Sequence, residues 1–249
     1  MTKEEEILID YIEKKIEQCL DYGKFACSSF LDMHQRHLAQ CVCNRFKGLN
    51  YLFYGGYEDA ERTVAAFLPE YSSLDDSNPL VLLRISQNGY KELSHRDYLG
   101  SLMSLGIKRE MVGDILVRSD GADIIILKTI SEFLLSNYEK AGRTNLKVEL
   151  LPIDLLIIPD IRFETKRDTV ASLRLDSVVA SAFSMSRRLA SEAINEGRVY
   201  INNQLCEKND RLVKEGDKLS LRGKGKAILE KVGDLTRKDR TVILLKRFI

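Results

Sequence analysis

Apolar residues first recur at helical spacing near the start of the chain. Ile7, Leu8, Tyr11, Ile12, Lys15 and Ile16 share one face and leave Glu and Lys outward, which predicts an amphipathic helix. A second helix is predicted over residues 34–46. The text "NYLFYGGYEDAERTVAAFLPEY" then reads as a short strand, a turn at Gly55-Gly56, a helix, and a stop at Pro69. "SSLDDSNP" follows as a polar linker.

The pattern changes beyond the linker. "LVLLRIS" predicts a strand, and "HRDYLGSLMSLG" a helix ending at Gly106. "VGDILVR" and "DIIILK" predict strands joined by the turn "SDGA". "TISEFLLSNYEKAG" predicts a helix ending at Gly142, and "LKVELLP" a last strand. The order β-α-β-β-α-β is that of the ferredoxin-like or RNA-recognition-motif architecture. An RNA-recognition sheet stacks bases on exposed aromatics of its central strands. Here those strands carry Val81, Leu82, Leu83, Ile124, Ile125 and Ile126. Such continuous apolar runs predict strands covered on both faces. This domain is therefore expected to be a scaffold, or to bind through helices and loops.

The connector "DLLIIPDIRFETKRDTVAS" leads to a third pattern, and its "ETKRDT" part is expected to pair as a strand with the C-terminus. "LRLDSVVASAFSM" predicts a helix. Ser186 caps another, "RRLASEAINEG", which Gly197 terminates in a left-handed conformation. "RVYIN" is a strand and Asn202-Asn203 a tight turn. "QLCEKND", "EGDKLSLRG" and "AILEKVGDLTRKDRTVILLKRF" supply further short strands. The fold class expected is α+β in three small domains: an N-terminal α/β domain at 1–75, an RRM-like domain at 76–158, and a C-terminal helix-helix-strand module with added strands at 159–249.

Charge separates these parts. The 249 residues carry a formal net charge of +1. Residues 1–159 hold 18 Lys+Arg against 24 Asp+Glu, a net of −6, and residues 160–249 hold 20 against 13, a net of +7. That asymmetry points the C-terminal part toward a polyanion. No apolar run approaches the roughly 20 residues needed to cross a bilayer, and the acidic amphipathic start is no signal peptide. A cytoplasmic location is expected. Five cysteines, with no C-x-x-C spacing, suit free thiols in a reducing compartment.

The C-terminal part also holds an electrostatic anomaly. In "SMSRRLASEAINEGRVYINNQ", Arg187 and Arg188 open the helix that Ser186 caps. A helix N-terminus already carries about half a positive charge, and cations there cost a few tenths of a kcal/mol. A phosphate bound at that end would offset the cost. Arg174 on the preceding helix could reach the same groove. Arg222, Lys224 and Lys226, on a Gly-rich hairpin, form a second candidate clamp. Asp176 and Glu192 are expected to pair with nearby arginines.

Other chemistry finds little support. His34, His37 and Cys41 could share a helix face as zinc ligands, but a helix with a partly buried Cys stripe explains them more simply. The Gly55-Gly56 turn is no phosphate loop, because Glu58, Asp59 and Glu61 would repel an anion there. "HRDYLG" is similar to a kinase catalytic loop, yet Leu102 stands where an Asn is needed and no Gly-rich loop or D-F-G follows. "GKGK" lacks the Walker spacing. Three His, no triad and no metal cage leave catalysis without candidates; no catalytic residue, metal or cofactor is expected.

The spaced residues of the C-terminal module resemble the RNA-binding domain first named from ribosomal small-subunit protein four, the S-four domain. Its pattern is R-L-D, S-R-x-x-A, I-x-x-G-x-V-x-V-N and G-D-x-I. The corresponding residues are Arg174-Leu175-Asp176; Ser186, Arg187 and Ala190; Ile194, Gly197, Val199, Ile201 and Asn202; and Gly216, Asp217 and Leu219. The resemblance implies RNA binding through Arg174, Ser186, Arg187, Arg188, Asn202, Arg222, Lys224 and Lys226. Such a site reads backbone geometry and suits structured RNA with its 2′-hydroxyls. The module is often an appendage of enzymes. A pseudouridine synthase would need a separate catalytic Asp domain, a methyltransferase a Gly-rich cofactor loop, and a tyrosyl-tRNA synthetase its nucleotide motifs. None is present.

The whole chain resembles the YlmH family at "FLDMHQ", "FYGGYEDAERTVAAFLPEY", "HRDYLGSLMSLGIKREMVGDILV" and the C-terminal module. "FLDMHQ" departs from that family's usual "FLDP". The resemblance implies partnership with rRNA, tRNA and the large ribosomal subunit in ribosome-associated quality control of stalled peptidyl-tRNA. It also implies a link to cell division. Two expectations follow: a non-catalytic ribosome-binding factor, or a division-linked adaptor whose acidic N-terminal half recruits protein and whose RNA binding is incidental.

Overall fold

A computed structural model describes residues 2–70, 72–74, 77–87, 93–159 and 163–248. The linker residues 75 and 76 and the connector residues 160–162 lie outside them. The chain forms two compact units, Met1–Pro159 and Asp160–Ile249. Among the described residues no helix is long and apolar enough to cross a membrane.

The first unit opens with α1 (Lys3–Tyr22), closed at its start by a reciprocal Thr2–Glu5 capping box. Next come β1 (Ala26–Cys27), α2 (Met33–Cys43), β2 (Asn50–Tyr54) and β3 (Val64–Leu68). Asp32 and Gln35 cap α2 in the same reciprocal way. Met33 therefore stands at the first helical position. The three strands form a sheet in the order β1-β3-β2, with Ile12, Ile16, Val42 and Phe67 packed between sheet and helices.

One element differs from expectation. The helix predicted after Gly55-Gly56 is absent, and Val64–Leu68 is a strand paired with β2 from Asn50↔Leu68 to Tyr54↔Val64. All five of its residues are buried. A short apolar run fits a buried strand or a buried helix equally by period, and here sheet packing decided it. With no helix start there, the acidic residues 58, 59 and 61 guard no helix dipole.

The middle sheet comprises β4 (Leu80–Gln87), β5 (Val112–Arg118), β6 (Gly121–Leu127), β7 (Lys140–Ala141) and β8 (Thr144–Leu151), in the order β5-β6-β4-β8-β7. Helices α3 (His95–Ser104) and α4 (Ser131–Asn137) complete the β-α-β-β-α-β arrangement. Helix α4 ends earlier than predicted, because Lys140–Ala141 pairs with Thr144–Asn145 and Gly142 turns a hairpin instead of closing a helix. One sheet face buries Leu83, Ile85, Ile124 and Ile126 with Tyr98 and Leu102.

The opposite face, where an RNA-recognition sheet would stack bases, is covered as expected. Ile125, Leu80 and Leu127 pack on Phe30, Val64, Tyr54, Tyr57, Ile153 and Leu156. Its polar part is closed by Asp123, which is fully buried. Arg84 reaches that carboxylate at 2.9 and 2.7 Å, Arg118 donates to it, and the Ile157 N–H joins at 3.0 Å. Asp114 fastens the 57–62 loop to this sheet by accepting from Tyr57 Oη, Glu61 N and Arg62 N.

The second unit runs β9 (Phe163–Val170), α5 (Leu175–Ala182), α6 (Arg187–Asn195), β10 (Val199–Ile201), β11 (Gln204–Leu205), β12 (Lys218–Leu221), β13 (Gly225–Leu235) and β14 (Thr241–Phe248). The sheet order is β11-β10-β12-β13-β14-β9. The expected pairing of the connector with the C-terminus is present from Val170↔Thr241 to Phe163↔Phe248. Val178, Val179, Ala190 and Ile194 from the helices bury against Val199, Leu219, Leu229 and Ile243. This amphipathic packing fixes which helix faces remain for solvent.

Candidate nucleic-acid interface

The start of α6 carries the anomaly noted in the sequence. Ser186 is extended (φ −68°, ψ 150°), and its hydroxyl accepts from the Leu189 N–H at 3.2 Å. No acidic residue occupies the first turn. The compensating charge comes from α5. Asp176 Oδ2 accepts from Arg187 Nε and Nη2 at 3.1 and 2.9 Å, and from Arg174 Nη2 at 3.2 Å. Arg174 Nε and Ser177 Oγ reach Oδ1, each at 3.3 Å.

Helix α5 is seated for this task by the 209–211 loop, whose carbonyls at Arg211 and Asn209 accept from the Leu175 and Asp176 N–H groups at 2.8 and 3.2 Å. The Asp176 side chain is 5% exposed, against 38% for Arg174 and 55% for Arg187. Burial pushes the Asp176 carboxyl up, but hydrogen bonds from Arg174 and Arg187 outweigh it and hold the group below the usual carboxylate range. Two cations share this buried anion, and Asp210 adds a further negative charge near Arg174. The Nη1 groups of both arginines take no part in these bonds. The paired arrangement thus orients two guanidinium groups at the surface, where a phosphate would meet them without first ordering long side chains.

Arg188 stands differently. It meets Glu192 one turn along α6 at 2.6 Å, with both side chains largely exposed (78% and 44%). Such a pair is worth a few tenths of a kcal/mol and yields readily to a phosphate. Asn202 is exposed but already engaged: its amide donates to Asp217 Oδ1 at 2.8 Å and accepts from the Lys218 N–H at 2.9 Å. It holds the Asn202-Asn203 turn, where φ is +49° and +65°, against the start of β12. Arg222, Lys224 and Lys226 lie on the β12–β13 hairpin, the first two exposed, with Gly223 and Gly225 at φ +81° and +97° making the bend. The structure therefore brings Arg174 and Arg187 together on Asp176, beside the Ser186 cap, and sets the hairpin cations on a separate element. The expected pairing of Asp176 and Glu192 with nearby arginines is present; what spacing did not show is that arginines at both helix starts share the one carboxylate.

The His/Cys group resolves into two pairs. His34 Nε2 lies 2.9 Å from Glu5 Oε1, and His37 Nε2 lies 3.8 Å from Cys41 Sγ. Burial pushes the Cys43 thiol up to about 11. Among the described residues no three His, Cys, Asp or Glu side chains converge as metal ligands.

Comparison with known proteins places this geometry. Residues 78–154 match the family described as "Putative RNA-binding domain in YlmH", and residues 173–219 match the S4 domain. The chain is 30% identical over 241 residues to "Ribosome-associated protein quality control protein P2" of Bacillus subtilis (strain 168), covering 93% of each protein. Its fold is similar to that of "Cell division protein ylmH from Streptococcus pneumoniae", with a TM-score of 0.54 at 22% identity over 63% of this chain and 96% of that one. The Asp176-centred arginine cluster lies inside the S4 match, and the covered sheet inside the other. With a relative matched along nearly the whole length of both, the chain belongs to the YlmH family.

Proposed function

We propose that this protein is a non-catalytic factor that binds ribosomal RNA and tRNA on the large ribosomal subunit during quality control of stalled peptidyl-tRNA. The observation that carries the proposal is the Arg174–Asp176–Arg187 cluster at the start of α6. It presents oriented guanidinium donors in the C-terminal part of the chain, residues 160–249, whose net charge is +7. Phosphate contacts of this kind fix register on a folded RNA without reading its sequence. The name of the Bacillus subtilis relative supports the ribosomal setting.

The middle domain contributes differently from an RNA-recognition sheet. Its stacking face is filled by Ile125, Leu80 and the Arg84–Asp123–Arg118 ion cluster, so RNA contact there would use helices or loops. Sedimentation with purified large subunits tests the reading. Arg187→Ala with Arg188→Ala abolishes co-sedimentation while the variant still melts cooperatively, at a lower temperature because the buried Asp176 keeps only Arg174. Full retention of binding at moderate salt would contradict it.

A further inference from the structure

We propose that the RNA backbone has a second contact in this protein, in a cleft beside Arg187 whose lining lies half inside and half outside the S4 match. The proposal rests on the RNA-binding reading above. The cleft has a volume of about 390 Å³ and lies between β9, the end of α5 and the turn leading into β14. Three cations line it: Lys166 from β9, Arg187 from α6 and Arg240 from the β13–β14 turn. Residues 166 and 240 fall on either side of the matched span 173–219. Only the antiparallel pairing of β9 with β14 brings them together.

Each cation is held in place. Lys166 Nζ donates to the Ser181 carbonyl at 2.7 Å and to Ser184 Oγ at 3.1 Å, and its third ammonium N–H has only the longer Asp168 ion pair, at 3.8 Å. Arg240 Nε donates to Thr169 Oγ1 at 3.0 Å and Nη2 to the Thr169 carbonyl, leaving Nη1. Arg187 is fixed by Asp176 as described. Side chains ordered in advance lose little freedom on binding.

One carboxylate, Asp168, also lines the cleft. Its Oδ2 accepts from Ser181 Oγ at 2.6 Å and lies 3.8 Å from Lys166 Nζ. With Arg187 already paired to Asp176, Lys166 and Arg240 against Asp168 still leave the cleft positive. The carboxylate also selects among anions: it repels a compact phosphate dianion more than the singly charged phosphodiester of a nucleic acid. Because Arg187 borders both the cleft and the Asp176 cluster, one strand can cross from the first contact to the second.

The test uses the full chain, tRNA as probe, and affinity measured across a salt series. Lys166→Gln with Arg240→Gln is expected to weaken binding on the order of tenfold or more and to make the slope of log affinity against log salt shallower by about 1–2, since each phosphate contact contributes about 0.7–0.9. Lys166→Arg with Arg240→Lys keeps the charges and is expected to keep the wild-type slope. If the charge-preserving variant loses as much as the glutamine variant, the residues are structural and the proposal falls. Wild-type affinity and slope in the glutamine variant, with binding lost in Arg187→Ala/Arg188→Ala, would overturn the cleft and leave the RNA reading standing. Unchanged binding in both variants would overturn both. Displacement of the RNA by millimolar inorganic phosphate, beyond the effect of matched ionic strength, would also overturn the phosphodiester assignment.

Discussion

Replacing Asp176 by Asn keeps the side-chain shape and removes the charge that two guanidinium groups share. Four nitrogen–oxygen contacts between 2.9 and 3.3 Å are weakened or lost. Hydrogen bonds to a buried charged group are worth about 1.5–3 kcal/mol each, whereas exposed ion pairs are worth about 0–1 kcal/mol. Here the acid is buried and the bases are not. Once released, Arg174 and Arg187 can return to water, so the roughly 3–5 kcal/mol cost of stranding a buried charge does not arise. Added repulsion between Arg187 and the α6 dipole costs a few tenths of a kcal/mol more. The expected loss is therefore about 2 kcal/mol. For a unit of about 90 residues, 1 kcal/mol moves the midpoint by about 4–8 °C, so the second unit should melt roughly 8–16 °C lower. Calorimetry on the full chain reads this directly, and the transition of residues 1–159 should stay in place. A shift below about 2 °C would show that Asp176 does not hold the arginines, and the ordering attributed to it would fail.

Further outcomes follow from the same contacts. Asp176 has a lower pKa folded than unfolded, so the folded state binds fewer protons. Its contribution is complete above the ordinary value near 3.8 and is lost as pH falls through the lower folded value. Asp176→Asn should accordingly flatten the acid limb of the stability profile, measured by urea titration at several pH values. Native alkylation near pH 8 should label exposed Cys41 well before Cys43, whose thiol is buried and raised to about 11; peptide mass mapping separates them. Gly121→Ala should destabilise the first unit strongly, because the added Cβ would lie 1.9 Å from the Ile85 carbonyl oxygen across the central strand pair. Soluble expression with a wild-type melting curve would refute that contact.

Local chemistry made the C-terminal module readable. Ser186 caps, Gly197 at φ +66° closes, and Asn202-Asn203 turns, each through interactions within a few residues. The middle domain was readable for a similar reason, its strands being long apolar runs between turn residues. Failures came where strand pairing decides. Val64–Leu68 is a strand because β1 and β2 flank it, and α4 stops at Asn137 because Lys140 pairs into a hairpin. Neither partner is visible in the segment itself. The site followed the same division. Arg174, Ser186 and Arg187 stand in short motifs, whereas Lys166 and Arg240 carry no motif and meet only through strand pairing. Asn202 matched its motif, yet its amide is spent on Asp217 and Lys218.

The most direct measurement is crosslinking of the protein to RNA in growing cells, followed by sequencing of the bound RNA and mapping of the attached peptides. Large-subunit ribosomal RNA and tRNA should dominate, attached to peptides containing residues 174–188, and the signal should vanish with Arg187→Ala and Arg188→Ala. RNA attached only to peptides outside residues 160–249, or restoration of a deletion phenotype by a chain lacking residues 160–249, would contradict a ribosomal role for the arginine cluster and favour a protein-recruiting adaptor.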